Sequence, residues 1–227
     1  KVTDGLGLST HYHYNDDNYN IAEYYPDGSR ILIERDEFNN VIKTTFNDGS
    51  TREFEYDEFD NTIREVRQDG GVTLYEYDEY HQVTKVIEPG GQVWLNRYDA
   101  QGNQIEQQDP LGHITRYTYN TQGEISQIID AKGGTKRILY NHMGLMEKYI
   151  DCSSKVTQWR YDDRYRVTEV INALGQTTQY SYDTHGFMIK RLVEGLEAEY
   201  FHHDAEGRLL RYTDGLNQST QYAYGAS

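Results

Sequence analysis

The sequence predicts an all-β chain of tandem 21-residue hairpins, forming one long antiparallel sheet that curves or spirals. Three observations point there: a tyrosine recurs every 21 residues, each period carries two turn motifs, and the segments between turns are too short for helices. Stepping by 21 from Tyr14 lands on Arg35, Tyr56, Tyr77, Tyr98, Tyr119, Tyr140, Tyr161, Tyr182, His203 and Tyr224, so nine of eleven registers are Tyr. No insertion disturbs the step, which makes the repeat the unit of the fold.

The first turn follows each tyrosine. The next residue reads Asn15, Asp36, Asp57, Asp78, Asp99, Asn120, Asn141, Asp162, Asp183 and Asp204. Four residues past the tyrosine stand Gly102, Gly123, Gly144, Gly186 and Gly207, with Asn18, Asn39, Asp60 and His81 earlier and Tyr165 as the misfit. Asp or Asn opens such a turn by accepting from a backbone N–H two residues on, and Gly closes it where φ must be positive. A type I turn followed by a left-handed residue is a common hairpin connection. The second turn lies half a period away and closes on Gly28, Gly49, Gly70, Gly91, Gly112, Gly133 and Gly175. At Asp151–Ser154, Val193–Leu196 and Asp214–Asn217 its glycine is lost or shifted.

Segments of about six and seven residues remain between the turns, the length of strands. The longer one ends in alternating aromatics, as in Phe54 and Tyr56, Tyr75 and Tyr77, Tyr117 and Tyr119, or Trp159 and Tyr161. Period two places each pair on one strand face. The shorter one begins with an aliphatic, such as Val41, Val83, Ile125 or Val167. Turns at both ends of every strand dictate a meander of roughly twenty strands, and open sheets of more than about ten strands curl or split. Coiling is therefore expected, with aromatic rows laddered between hairpins. Residues 1–227 read as a single array, of which 1–35 are degenerate or capping repeats and 36–227 are regular.

Composition narrows the function. The net charge of −15 argues against a nucleic-acid surface, because phosphate contacts need clustered Lys and Arg. The lone Cys152 forms no intramolecular disulfide. No apolar run approaches the roughly 20 residues of a membrane span. His11 with His13 and His202 with His203 lack partners at metal-ligand spacing, and no phosphate loop or nucleophile elbow occurs. Asp57, Glu58 and Asp60 lack the spacing of a calcium loop. An aspartate repeated at every turn reads as architecture, since acid–base pairs need distinct environments. The sequence thus points to no enzyme, cofactor or metal.

The unit Tyr98-Asp99-x-x-Gly102-Asn103, Asp109-Pro110-x-Gly112 and Tyr117-x-Tyr119 resembles the YD repeat of the RHS (rearrangement hot spot) proteins. Tyr182-Asp183-x-x-Gly186 and Asp204-x-x-Gly207-Arg208-Leu209 are similar to it as well. That resemblance implies a β-shell built from a spiralling hairpin ribbon, as in bacterial polymorphic toxins, toxin-complex components and teneurins. It implies, as a partner, a toxic C-terminal polypeptide of the same parent chain enclosed by the shell. It also implies a parent that is secreted, held at the cell surface or delivered by a secretion system. The structural residues it points to are Tyr56, Asp57, Tyr77, Asp78, Tyr98, Asp99, Gly102, Gly112, Tyr119, Asn120, Gly123, Gly133, Tyr140, Gly144, Tyr161, Asp162, Gly175, Tyr182, Asp183, Gly186, Asp204 and Gly207. Asp109-Pro110-Leu111-Gly112 looks like the family's self-cleavage motif but sits in an ordinary turn slot, so no catalysis is carried to it. With eleven registers and no variable toxin segment within the 227 residues, the array is expected to be an open fragment whose edge strands could self-associate. The alternative is a cell-surface adhesion or carbohydrate-binding array, in which exposed tyrosine pairs would stack on glycans. Buried rings would favour the shell.

Overall fold

The computed structural model describes residues 1–225 of the 227-residue chain. Among them are 22 strands and no helix, and thus no helix long and apolar enough to cross a membrane. The chain falls into two compact units, Lys1–Thr115 and Arg116–Ser227.

In the first unit the strands are β1 (Val2–Thr3), β2 (Ser9–Tyr14), β3 (Asn20–Tyr24), β4 (Arg30–Arg35), β5 (Val41–Thr45), β6 (Thr51–Tyr56), β7 (Thr62–Val66), β8 (Val72–Tyr77), β9 (Val83–Ile87), β10 (Val93–Tyr98) and β11 (Gln104–Gln108). Each pairs antiparallel with its sequence neighbours. The second unit repeats the pattern with β12 (Ile114–Tyr119), which begins just before the boundary, and then β13 (Ile125–Ile129), β14 (Thr135–Tyr140), β15 (Met146–Ile150), β16 (Val156–Tyr161), β17 (Val167–Ile171), β18 (Thr177–Tyr182), β19 (Met188–Val193), β20 (Glu199–His203), β21 (Leu209–Thr213) and β22 (Ser219–Gln221). From β12 to β22 every successive pair is antiparallel. The regular strands run to five and six residues, shorter than the sequence segments suggest, because the residues flanking each loop are bonded within the turn.

Both kinds of turn have the same hydrogen bonding. In the first, Asp99 N–H donates to the Asn103 carbonyl (2.9 Å) and Gly102 N–H to the Asp99 carbonyl (3.1 Å); in the second, Asp109 donates to His113 and Gly112 to Asp109, both at 2.9 Å. Three-residue loops of this kind end in a left-handed residue. The difference is a register shift at the tyrosine end: Tyr56 pairs with Thr62 while Glu55 pairs with Arg64, leaving Ile63 as a bulge. The same shift recurs at Tyr77, Tyr98, Tyr119, Tyr140, Tyr161 and Tyr182.

The bulge makes the ladder stagger. Thr45, the last residue of β5, lies opposite Thr51, the first of β6, whereas Val66, the last of β7, lies opposite Glu53, the third. Each hairpin is therefore displaced by two residues along the strands, roughly 7 Å at the usual rise. Val72 and Leu74, and in the second unit Thr135 and Arg137, show the same step. Each new tyrosine end overhangs the previous one.

The meander has no second layer within either unit, and no core forms. Ala22 is the only buried hydrophobic residue and Thr73 the only buried polar one among those described. Stability must come from the ladder, the turns and a half-buried aromatic face.

Candidate functional site

The repeated polar constellation sits at the tyrosine end of each hairpin. Opening residues Asp57, Asp78, Asp99, Asn120, Asp162, Asp183 and Asp204 each accept, through one side-chain oxygen, from the backbone N–H groups two and four residues on. The carboxyl pKa falls below its ordinary value where a side chain also donates: Asn61 to Asp57, Asn103 to Asp99 and the Arg166 guanidinium to Asp162. Gly102, Gly112, Gly123, Gly133, Gly144, Gly175, Gly186 and Gly207 all have positive φ. Non-glycine residues at closing positions share it, including Asn39, His81, Ser154 and Tyr165.

Where the second turn lacks an opening Asx, it is built differently. In the turns opened by Tyr25, Phe46 and Arg67, the third residue (Asp27, Asp48 or Asp69) accepts from Ser29, Ser50 or Gly71 N–H at 2.9 Å. Two of the three turns whose glycine is lost or shifted are regular: Ser154 closes one with φ 64° and Asn217 another with φ 61°. The turn at Val193 is deformed, because Glu194 N–H donates to the carbonyl of Thr177, at the start of β18, instead (2.8 Å).

The recurring tyrosines form a latch. β6 pairs with β5 only over Thr51–Glu53, so the ladder stops short of Val41, and the Tyr56 hydroxyl donates to the Val41 carbonyl at 2.8 Å. The same fifteen-residue step joins Tyr77 to Thr62, Tyr98 to Val83, Tyr140 to Ile125, Tyr161 to Met146 and Tyr182 to Val167, at 2.7–2.9 Å. Tyr119 occupies the same register, half-buried at the end of β12. Burial raises the hydroxyl pKa of Tyr56, Tyr77, Tyr98, Tyr140, Tyr161 and Tyr182. These rings are half-buried, the arrangement of packing rather than of an open sugar platform. They do not ladder ring on ring, because successive repeats lie two strands apart, about 10 Å, beyond aromatic contact distance.

The two misfits in the register behave differently. Arg35 donates through Nε to the Asn20 carbonyl at 3.0 Å, the same fifteen-residue step, and so substitutes for the phenol. His203 instead lies against Phe187, with ring centroids 5.5 Å apart, and its buried Nδ1 has no partner. No group of three or more His, Cys, Asp or Glu residues could hold a metal among the described residues.

Adjacent turns also touch. In several repeats the residue after the closing position leans over the closing residue of the next turn: Asn40 donates to Asp60 at 2.6 Å, Asn61 meets His81 at 2.9 Å, and the Phe187 ring lies 2.6 Å from where a Cβ on Gly207 would stand.

Residues 98–135 match the family model described as RHS Repeat. Over that stretch the chain matches an RHS repeat. That stretch contains two of the first turns, at Asp99 and Asn120, and two of the second, at Asp109 and Asp130, so the match falls on the turn pattern described above. A search of curated protein sequences found no match. Among solved structures the chain is similar to that titled TcdB2-TccC3-TEV, with a TM-score of 0.73 at 14% identity. It is also similar to TcdB2-TccC3 without its hypervariable C-terminal region, with a TM-score of 0.74 at 13% identity. Both likenesses cover 89% of this chain and 13% of the other. The antiparallel β fold is shared, and the chain spans only a small part of the length of those proteins.

Proposed function

We propose that residues 1–227 are one continuous RHS array forming part of a β-shell wall, and that the shell encloses a polypeptide of the same parent chain. The role is structural and non-enzymatic, in a parent that is secreted or delivered by a secretion system. The register tyrosines and the turn aspartates and glycines serve as latches and turns.

The observation that carries the reading is the two-residue stagger per hairpin. A displacement of roughly 7 Å along the strands for about 10 Å across them tilts the strands by roughly 35°, within the range of closed barrels. A sheet with that shear coils, and its half-buried aromatic face needs something to cover it. The test is limited proteolysis of the full-length parent. The region enclosed by the shell should survive protease as long as the array stays folded and be digested once the array is unfolded. Digestion at the same rate in both states would overturn enclosure.

A further inference from the structure

Three consecutive tyrosine-end turns in the first unit carry the same tip, Asp-Glu-aromatic: Asp36-Glu37-Phe38, Asp57-Glu58-Phe59 and Asp78-Glu79-Tyr80. The hairpin fold does not need these rings. They occupy the middle loop position, where Asp17, Gln101, Gln122 and Arg164 serve equally well in other repeats. Phe38, Phe59 and Tyr80 are 72%, 63% and 71% exposed. Phe59 has an edge contact with His81 at 5.1 Å. A row of exposed rings on neighbouring turns has the character of an interaction surface.

Charge selects the partner. Asp36, Asp57 and Asp78 accept from their own turns, and Asp60 from Asn40, while Glu37, Glu58 and Glu79 are exposed beside the rings with no hydrogen bond or ion pair. The three five-residue turns contain no Lys or Arg. Arg35, next to the first tip, gives its Nε and one terminal nitrogen to the backbone carbonyls of Asn20 and Asn39. Aromatic faces beside carboxylates suit guanidinium or ammonium groups and repel phosphate.

Spacing selects the form. The tips are offset by two strands, about 10 Å across, and by two residues, roughly 7 Å along, so neighbouring tips stand roughly 12 Å apart; four residues of an extended peptide advance about 13 Å and return to the same face. We propose that the three tips are a docking stripe for an extended basic polypeptide segment with Arg or Lys at every fourth position, one cation per tip.

A fluorescent peptide with Arg at every fourth position, titrated with the 227-residue chain, tests this by anisotropy. Saturable binding is expected to weaken as salt rises. The combined substitution Phe38→Ala, Phe59→Ala, Tyr80→Ala should weaken it by roughly tenfold or more with an unchanged melting curve. Glu37→Gln, Glu58→Gln, Glu79→Gln should weaken it and flatten the salt dependence. A peptide with the same arginines clustered should bind less tightly. The stripe is refuted if the wild type shows no saturable binding, if the alanine variant binds equally well, or if clustered arginines do as well as spaced ones. Loss by the alanine variant of binding to neutral phosphatidylcholine vesicles, without peptide binding, would assign the row to a membrane surface instead.

Discussion

Arg35 Nε lies 3.0 Å from the Asn20 carbonyl oxygen, across the same fifteen-residue step by which the Tyr56 hydroxyl reaches Val41 at 2.8 Å. Two unrelated side chains satisfy equivalent backbone acceptors because the stagger leaves the carbonyl at that register beyond the end of the ladder. The need is for a long side chain with a terminal donor, and tyrosine is the usual way of meeting it.

Removing one latch hydroxyl should therefore cost stability in proportion to what else serves the carbonyl. Tyr161 is the side chain that donates to the Met146 carbonyl, so Tyr161→Phe is expected to cost about 1 kcal/mol. Tyr98→Phe should cost less, because Asn96 Nδ2 also donates to the Val83 carbonyl at 3.0 Å. Urea denaturation of the two variants would decide, and equal losses would count against the shared acceptor.

The closing positions of the turns make a second comparison. Gly28 has φ +85° and open space around its Cα, so alanine there meets only backbone strain, about 1 kcal/mol. Gly207 has a nearly identical φ of +84° but lies under Phe187, so Gly207→Ala should destabilise more, and Phe187→Ala in the same chain should recover part of the difference. Tyr165 holds φ 64° while exposed, so Tyr165→Gly should raise the melting temperature. A lower one would show that its ring packs usefully.

The hairpins were legible because turn chemistry is local: an Asp or Asn and a residue tolerant of positive φ fix a three-residue loop wherever they recur. The turns at Ser154 and Asn217 were harder to read, since the glycine signal is absent where another residue accepts the same φ. The latch was hidden for a different reason. Tyr56 and Val41 are related through the register of two strands, and that register depends on the Ile63 bulge, which has no sequence marker. Arg35 looked like degeneration because residue type was compared where reach and donor capacity were what mattered. The exposed tips at Phe38, Phe59 and Tyr80 follow the repeat but not its structural logic, so periodicity alone could not separate them from packing aromatics.

Acid should loosen the turns. The carboxyl pKa values of Asp57, Asp99 and Asp162 are lowered in the folded chain, chiefly by side-chain donors. A depressed folded value contributes stability above the unfolded pKa near 4 and loses it as pH falls through the folded value. Asp99→Asn keeps the acceptor, as Asn120 does naturally, and should melt close to wild type, whereas Asp99→Ala should melt lower. The difference between wild type and Asp99→Asn should change as pH drops below about 4, because only the aspartate titrates there. A constant difference across that range would mean that ionisation of Asp99 contributes nothing.

Alkali should act on the latches. Tyr56, Tyr77, Tyr98, Tyr140, Tyr161 and Tyr182 have hydroxyl pKa values raised above 10.0, first of all by burial. A phenolate cannot donate to a carbonyl, so the folded state favours the protonated form. The stabilisation is complete below pH 10, the unfolded value, and is lost as pH rises through the higher folded values. Because many equivalent latches titrate together, unfolding should steepen above pH 10, with the near-ultraviolet tyrosinate signal and the loss of β circular dichroism rising over the same interval. If the tyrosines ionise fully while the β signal persists, the latch hydroxyls are dispensable, and ladder and turns alone hold the hairpins together.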